Sequence, residues 1–300
     1  MIDKIVLSTM FFLVSYFTLH AQDFQATAVY ASKTSTADIQ SKMQGNKDIT
    51  PDMQKMIEDR MKAMFEKTYI LSFDKSASVY KEEEKLDAPG QNGGFNVKMF
   101  SSMMGGGGTF YKNVKEKRYV VDKEFMGKEF LVKDSLPKLN WKLENETKQI
   151  GGYTCYKATA TRQPSKSDLR NFRPKKDDDK KTPAKANEKD KKTDFMDDVD
   201  LPKEITITAW YALEIPASQG PENYWGLPGL ILEVNDGKTT ILCTKVVLNA
   251  KDKVEIKAPT NGEVISQAKY DETVMKKLKE LQEMNQGRGN DGKMQMRIGG

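Results

Sequence analysis

The sequence predicts a mainly β protein of the α+β class, a curved antiparallel meander sheet or half-barrel with one or two amphipathic helices packed against it. Three observations carry this. Short stretches rich in β-branched and aromatic residues recur along the chain, each bounded by turn formers. The connections between them are short, which favours antiparallel neighbours over crossovers. Only two stretches repeat their apolar residues at helical spacing. A sheet of this many strands curls as it twists.

Phe24 to Ala31, Thr68 to Asp74, Ser76 to Lys81, Lys117 to Lys123 and Phe125 to Lys133 read as strands. Trp141 to Lys148 and Tyr153 to Thr161 flank Gly151-Gly152, a hairpin signal. Ile205 to Leu213, Leu230 to Val234 and Thr239 to Leu248 show the clearest strand pattern. The last two are joined by Asn235-Asp236-Gly237-Lys238, a tight turn suited to positive φ.

The first helix is expected over Pro51 to Lys67, where Met53, Ile57, Met61, Met64 and Phe65 form an apolar stripe. Thr50 suits the N-cap and Pro51 the first helical position. The second is expected over Asp271 to Met284, with Val274, Leu278 and Leu281 on one face. Both are expected to lie against the sheet. Three stretches lack the apolar residues to pack: Lys85 to Gly108, with its glycine runs and methionines, Gln163 to Lys203, dense in lysine and aspartate, and the tail from Asn285. The strand pattern resumes at once at Ile205, so the charged stretch reads as an excursion between neighbouring strands.

The organisation expected is therefore a signal peptide over 1–21, one β-rich domain over 22–270 and a C-terminal helix with a flexible tail over 271–300. Within the domain, 85–108 is a mobile Gly/Met loop and 163–203 a disordered charged insertion. The signal peptide rests on Lys4, the apolar run from Ile5 to Leu19 and the small-residue exit at Ala21, with cleavage leaving Gln22 first. The alternative, an uncleaved anchor, is disfavoured because a run of about 15 residues is short of the roughly 20 that span a bilayer. The mature chain is then periplasmic or secreted, and no later segment is apolar enough to cross a membrane.

Composition narrows the chemistry. Hydrophobic residues make up 38% and charged residues 30%, so part of the chain stays unpacked. A net charge of +5, with lysines interleaved among aspartates, gives no concentrated basic face for nucleic acid. The single histidine, His20, lies in the expected signal peptide. A mature chain without histidine loses Ser-His-Asp and Cys-His catalysis and most zinc sites. Carboxylate pairs and Ser-Lys dyads remain open as enzyme readings. The sixteen methionines read as plastic apolar surface rather than as thioether ligands to Cu(I). Gly105 to Gly108 lacks the Lys-Ser/Thr ending of a phosphate loop, and Asp177 to Asp179 lacks the closing glutamate of a calcium loop. No catalytic residue, cofactor or metal is called for.

From Ala209 the chain reads Ala209-Trp210-Tyr211, then Ile215-Pro216, Gly220-Pro221, Tyr224 and Gly226-Leu227-Pro228-Gly229-Leu230-Ile231. This is a strand ending in an aromatic pair, a Pro/Gly-rich corner and a second strand beginning on a glycine. Pro228 fixes φ before Gly229, which is expected to take the positive φ of a type II turn. These residues, with Ile150 to Ala158 upstream, resemble the GLPGLI family of exported bacterial proteins. The resemblance implies export and no reaction, and the motif residues read as the makers of a structural corner.

Cys155 and Cys243 are the only cysteines. An oxidising compartment favours a disulfide between them, while a simple meander would not make their strands neighbours. The rival reading is two separate buried thiols. The function these readings favour is a non-enzymatic envelope protein that binds an apolar ligand, a lipid or protein segment, or maintains the envelope. The alternative is an adaptor for an outer-membrane partner through the charged insertion.

Overall fold

The computed structural model describes residues 24–37, 50–83, 107–168, 173–174, 199–249 and 254–290. The expected signal peptide with its Ala21–Gln22 junction, most of the Gly/Met loop and of the charged insertion, and the last ten residues lie outside the described residues. In chain order the elements are β1 (Gln25–Thr34), α1 (Pro51–Phe65), β2 (Glu66–Asp74), β3 (Ala77–Glu82), β4 (Thr109–Asn113), β5 (Arg118–Phe125) and β6 (Lys128–Ser135). There follow β7 (Lys142–Ile150), β8 (Tyr153–Arg162), β9 (Arg173–Pro174), β10 (Val199–Asp200), β11 (Ile205–Ala212), β12 (Leu230–Asn235), β13 (Thr239–Leu248), β14 (Glu263–Ile265) and α2 (Gln267–Asn290). The fold is mostly β, as its sequence predicts, with one sheet that does not close into a barrel.

Twelve strands share that sheet in the order β14-β6-β5-β4-β3-β2-β1-β13-β12-β11-β8-β7. It is two meanders joined: β1 to β6 run outward on one side, β13 back through β7 on the other, and β1 pairs with β13 along their whole length. The sheet is mixed rather than wholly antiparallel, because β14 lies parallel to β6. Gly151-Gly152 makes the β7–β8 hairpin with φ of 57° and 86°, and Gly237 makes the β12–β13 turn with φ of 87°. β8 and β11 pair from Cys155–Ala212 to Arg162–Ile205, so the charged insertion does leave and rejoin neighbouring strands. At its roots β9 and β10 form a separate two-residue ladder.

Thr50 caps α1 by accepting from the Met53 N–H, and Pro51 opens the helix. Of the expected stripe only Met61 is fully buried; Ile57, Met64 and Phe65 are half-buried, and Met53 is exposed. The helix runs directly into β2, which limits it to touching β1 and β2 near their ends. The second helix starts earlier and runs longer than expected. Its Tyr270, Val274 and Leu278 pack on Val121, Phe130 and Val132 of β5 and β6. The chain before β14 covers the opposite face of these strands, setting Ile256 and Ala258 against Tyr111, Val120 and Leu131. Among the described residues no helix is long and apolar enough to cross a membrane.

The main core draws on β1, β2, β3, β8, β11, β12 and β13 together. Tyr30, Leu71, Phe73, Ile207 and Val234 are all within 1% of complete burial. The Tyr30 hydroxyl donates to Ile231 O at 2.7 Å, and its ring meets Tyr80 edge-on with 6.2 Å between centroids.

Candidate functional site

The segment joining β11 to β12, residues 213–229, does not make a simple corner. It folds back over the face of the sheet that carries the main core. Ile215, Ala217, Gln219, Tyr224 and Leu227 are at most 2% exposed, while Pro216, Gly226 and Pro228 face outward. From Ile215 to Gln219 burial alternates from residue to residue. Ala217 N donates to Ile215 O at 2.7 Å and Gln219 N to Ala217 O at 2.8 Å, so the segment is a run of tight turns. Leu230 N and Ile231 N at the start of β12 pin its two ends by donating to Ile215 O at 3.0 Å and Gln219 O at 2.9 Å. The chain's own loop fills the groove.

Two features show how far the loop reaches. Lys112 of β4, with no exposed surface, donates through Nζ to Gly220 O and, at 2.8 Å, to Glu222 O. Between β11 and β4 the sheet has five intervening strands, roughly 29 Å if flat at about 4.8 Å per step. Gly220 lies eight residues beyond Ala212, a reach of about 27 Å fully extended. The loop is far from fully extended, so the sheet curls over it to bring the Lys112 amine to its carbonyls. On the other side, Trp141 Nε1 donates to Trp225 O and Trp225 Nε1 to Pro137 O, each at 2.8 Å. The two indoles fasten the loop to the link between β6 and β7.

Electrostatics single out Lys112. Burial drives its amine down to about 7, and the nearby Glu222 charge offsets only part of that cost. Arg162, at the end of β8, places its guanidinium 6.0 Å from the Tyr224 ring and 4.0 Å from the Asp236 carboxylate. Its Nε is buried without a hydrogen-bond partner. Gln219 Oε1 and Ser78 Oγ are likewise buried and unbonded. Ser78 lies directly opposite Lys112 in the β3–β4 ladder, the nearest approach to a Ser-Lys dyad. The hydroxyl makes no hydrogen bond, the amine is engaged by loop carbonyls, and neither residue has exposed surface. That geometry holds a loop; it does not present a nucleophile.

The motif residues divide by face. Tyr211 is buried beside Tyr156, with ring centroids 6.0 Å apart. Trp210 is half-buried under the Lys148 amine, 4.3 Å from its ring, and Lys148 pairs with Glu233 at 2.7 Å. Gly220 and Pro221 are buried in the loop, and Leu230 and Ile231 are completely buried. The expected positive φ at Gly229 is corrected: it belongs to Gly226, at 96°. Gly229 is needed for another reason, since a Cβ there would sit 2.0 Å from Ala212 O. The loop crosses the β11 backbone so closely that no side chain fits.

Cys155 and Cys243 are free, buried thiols. β11 and β12 stand between their strands, and three steps of about 4.8 Å exceed the roughly 7 Å a bridge can span. Each thiol instead donates to a backbone carbonyl, Cys155 to Tyr153 at 3.7 Å and Cys243 to Lys245 at 3.4 Å. Burial pushes both up to about 11. Sequence reasoning missed Lys112, Arg162, Trp141, Trp225 and Gln219 as parts of this site. Only the tryptophans carried a signal, being two of three in the chain.

Residues 141–233, from Trp141 through the loop to Glu233, match a family described as "Protein of unknown function (Porph_ging)". The match covers the loop and its flanking strands β7, β8, β11 and most of β12, leaves out β4 with Lys112, and spans less than a third of the chain. The molecule is thus a mostly β protein carrying a segment similar to a family of unknown function. No curated protein matches it. Two solved structures of PNGF-II, in the C2 and P21 space groups, are similar at a TM-score of 0.43 and 14% identity. Each alignment covers 84% of this chain and 33% of the solved one, so this chain spans about a third of their length.

Proposed function

We propose that the protein is an exported, non-catalytic binding protein of the cell envelope whose groove takes an apolar segment of a partner protein, in the place its own loop now holds. One observation carries this reading. The resident occupant, Ile215 to Gln219, is a run of tight backbone turns with alternate side chains buried and two carbonyls that accept from the first two amides of β12. A groove that accepts one such segment offers the same backbone partners and side-chain pockets to another. An acyl chain would use the pockets and leave the backbone donors unmet.

The leader-like start and the resemblance of the corner to the GLPGLI family support export. The lack of histidine beyond His20 and the engagement of Lys112 by carbonyls support a non-catalytic role. Native mass spectrometry of protein purified from its own envelope tests the reading, together with uptake of the apolar dye 1-anilino-8-naphthalenesulfonate. A bound polypeptide is expected. Bound lipid alone, or bare protein that takes up no dye, would overturn it.

The adaptor reading has one observation in its favour: the β9–β10 ladder gathers the roots of the charged insertion into a stalk. Deleting residues 175–198 separates the two. A groove binder keeps its partner in crosslinking experiments, while an adaptor loses it.

A further inference from the structure

We propose that Lys112 is a proton-sensitive latch on the 213–229 loop: its neutral amine holds the loop in the groove, and protonation loosens that hold. The latch is a property of the fold and stands whether or not the groove takes a partner. Lys112 belongs to the meander of β1 to β6, the loop to the meander of β7 to β13, and the amine joins the two across the groove. The seat is tight, since a Cβ on Gly220 would come within 2.9 Å of Ile231 Cβ. Once the loop lifts, the amine meets water.

The groups facing Lys112 decide the direction. The loop contributes the carbonyls of Gly220 and Glu222 and one carboxylate, that of Glu222. β3 contributes the uncharged Ser78, opposite in register, and β5 contributes Tyr119. The Tyr119 hydroxyl is bonded to Gln267, and burial holds it neutral well above the ordinary tyrosine range. Arg162 acts on the same Glu222 carboxylate and competes for its charge. The ammonium is therefore buried facing one carboxylate, that of Glu222, whose charge it shares with Arg162. A neutral amine keeps two donors for the two carbonyls and avoids the burial cost.

The sign follows from linkage. With the loop seated the amine titrates near 7, and with the loop lifted near its ordinary 10.5. The lifted state binds more protons between those values, so lifting grows as pH falls from about 10 to about 7 and levels off below. The change is up to about tenfold per pH unit.

Hydrogen exchange across pH 6 to 10, corrected for the intrinsic pH dependence of exchange, reads the latch directly. Loop amides over 213–229 are expected to gain protection from pH 7 to 10 and to exchange, at each pH, through an opening of lower free energy than the one that exposes β1 and β13. Lys112→Met should abolish that dependence. Should Lys112→Met fail to fold, Lys112→Arg, charged throughout, should fix the loop at its low-pH protection. A flat profile in the unaltered protein, a slope surviving either substitution, or loop amides that open only together with β1 and β13, at the same free energy, would each overturn the proposal.

Discussion

At the scale of single residues, similar glycines serve different needs. Gly237 turns with φ of 87° and has nothing within 4 Å of an added Cβ, so Gly237→Ala should cost only about 1 to 2 kcal/mol of backbone strain. Gly229 meets Ala212 O at 2.0 Å, and Gly229→Ala should cost about 3 kcal/mol or more as strand and loop are forced apart. Urea denaturation of both variants checks the order; equal losses would mean that the close crossing is not real. The titratable residues make a second forecast. Lys112, held down by burial, makes stability rise with pH from about 7, by up to about 1.4 kcal/mol per unit, because the unfolded chain binds the extra proton. Cys155 and Cys243 act oppositely: their thiols are raised by burial from 9 to about 11, so the stability they lend is present below pH 9 and is lost above it. Tyr30, Tyr119 and Tyr270, raised by burial, add to the loss above pH 10. Stability should therefore peak near pH 9, and a fall between pH 7 and 9 in denaturant titrations would contradict the burial of Lys112.

At the scale of elements, the tryptophan pair and the cysteine strands give the clearest tests. Trp141→Phe or Trp225→Phe removes one indole donor from a carbonyl at 2.8 Å and should cost about 1 kcal/mol, with the loop loosened before the sheet. Labelling of denatured, unreduced protein should find two free thiols, since β11 and β12 separate Cys155 from Cys243. Most strands were legible because alternation and turn residues are local signals: Gly151-Gly152 and Asn235 to Lys238 mark their hairpins without any knowledge of the fold. β4 and β14 were not. Thr109 to Asn113 is five residues behind a glycine run, and Glu263 to Ile265 is held only by its parallel neighbour β6. The corner motif was legible as a corner but not as the filling of a groove. Its contacts with Lys112 and Trp141 are more than 80 residues distant in sequence, and nothing in the pattern of β4 marks its lysine as buried.

At the scale of the whole molecule, the two meanders depend on each other through the β1–β13 ladder and through the loop that bridges them. Limited proteolysis within residues 175–198 should leave both fragments associated, because β8 and β11 on either side of the cut are paired in one sheet. Separation without denaturant would contradict that pairing. The central claim is that the groove held by residues 213–229 is where a partner protein binds. Photocrosslinking in intact cells tests it most directly, with a benzophenone placed at Leu213, exposed where the loop begins, or at Val264, exposed on the far edge strand. The account predicts a discrete protein adduct from position 213 and none from position 264. No adduct from 213, or the same adduct from both positions, would contradict it.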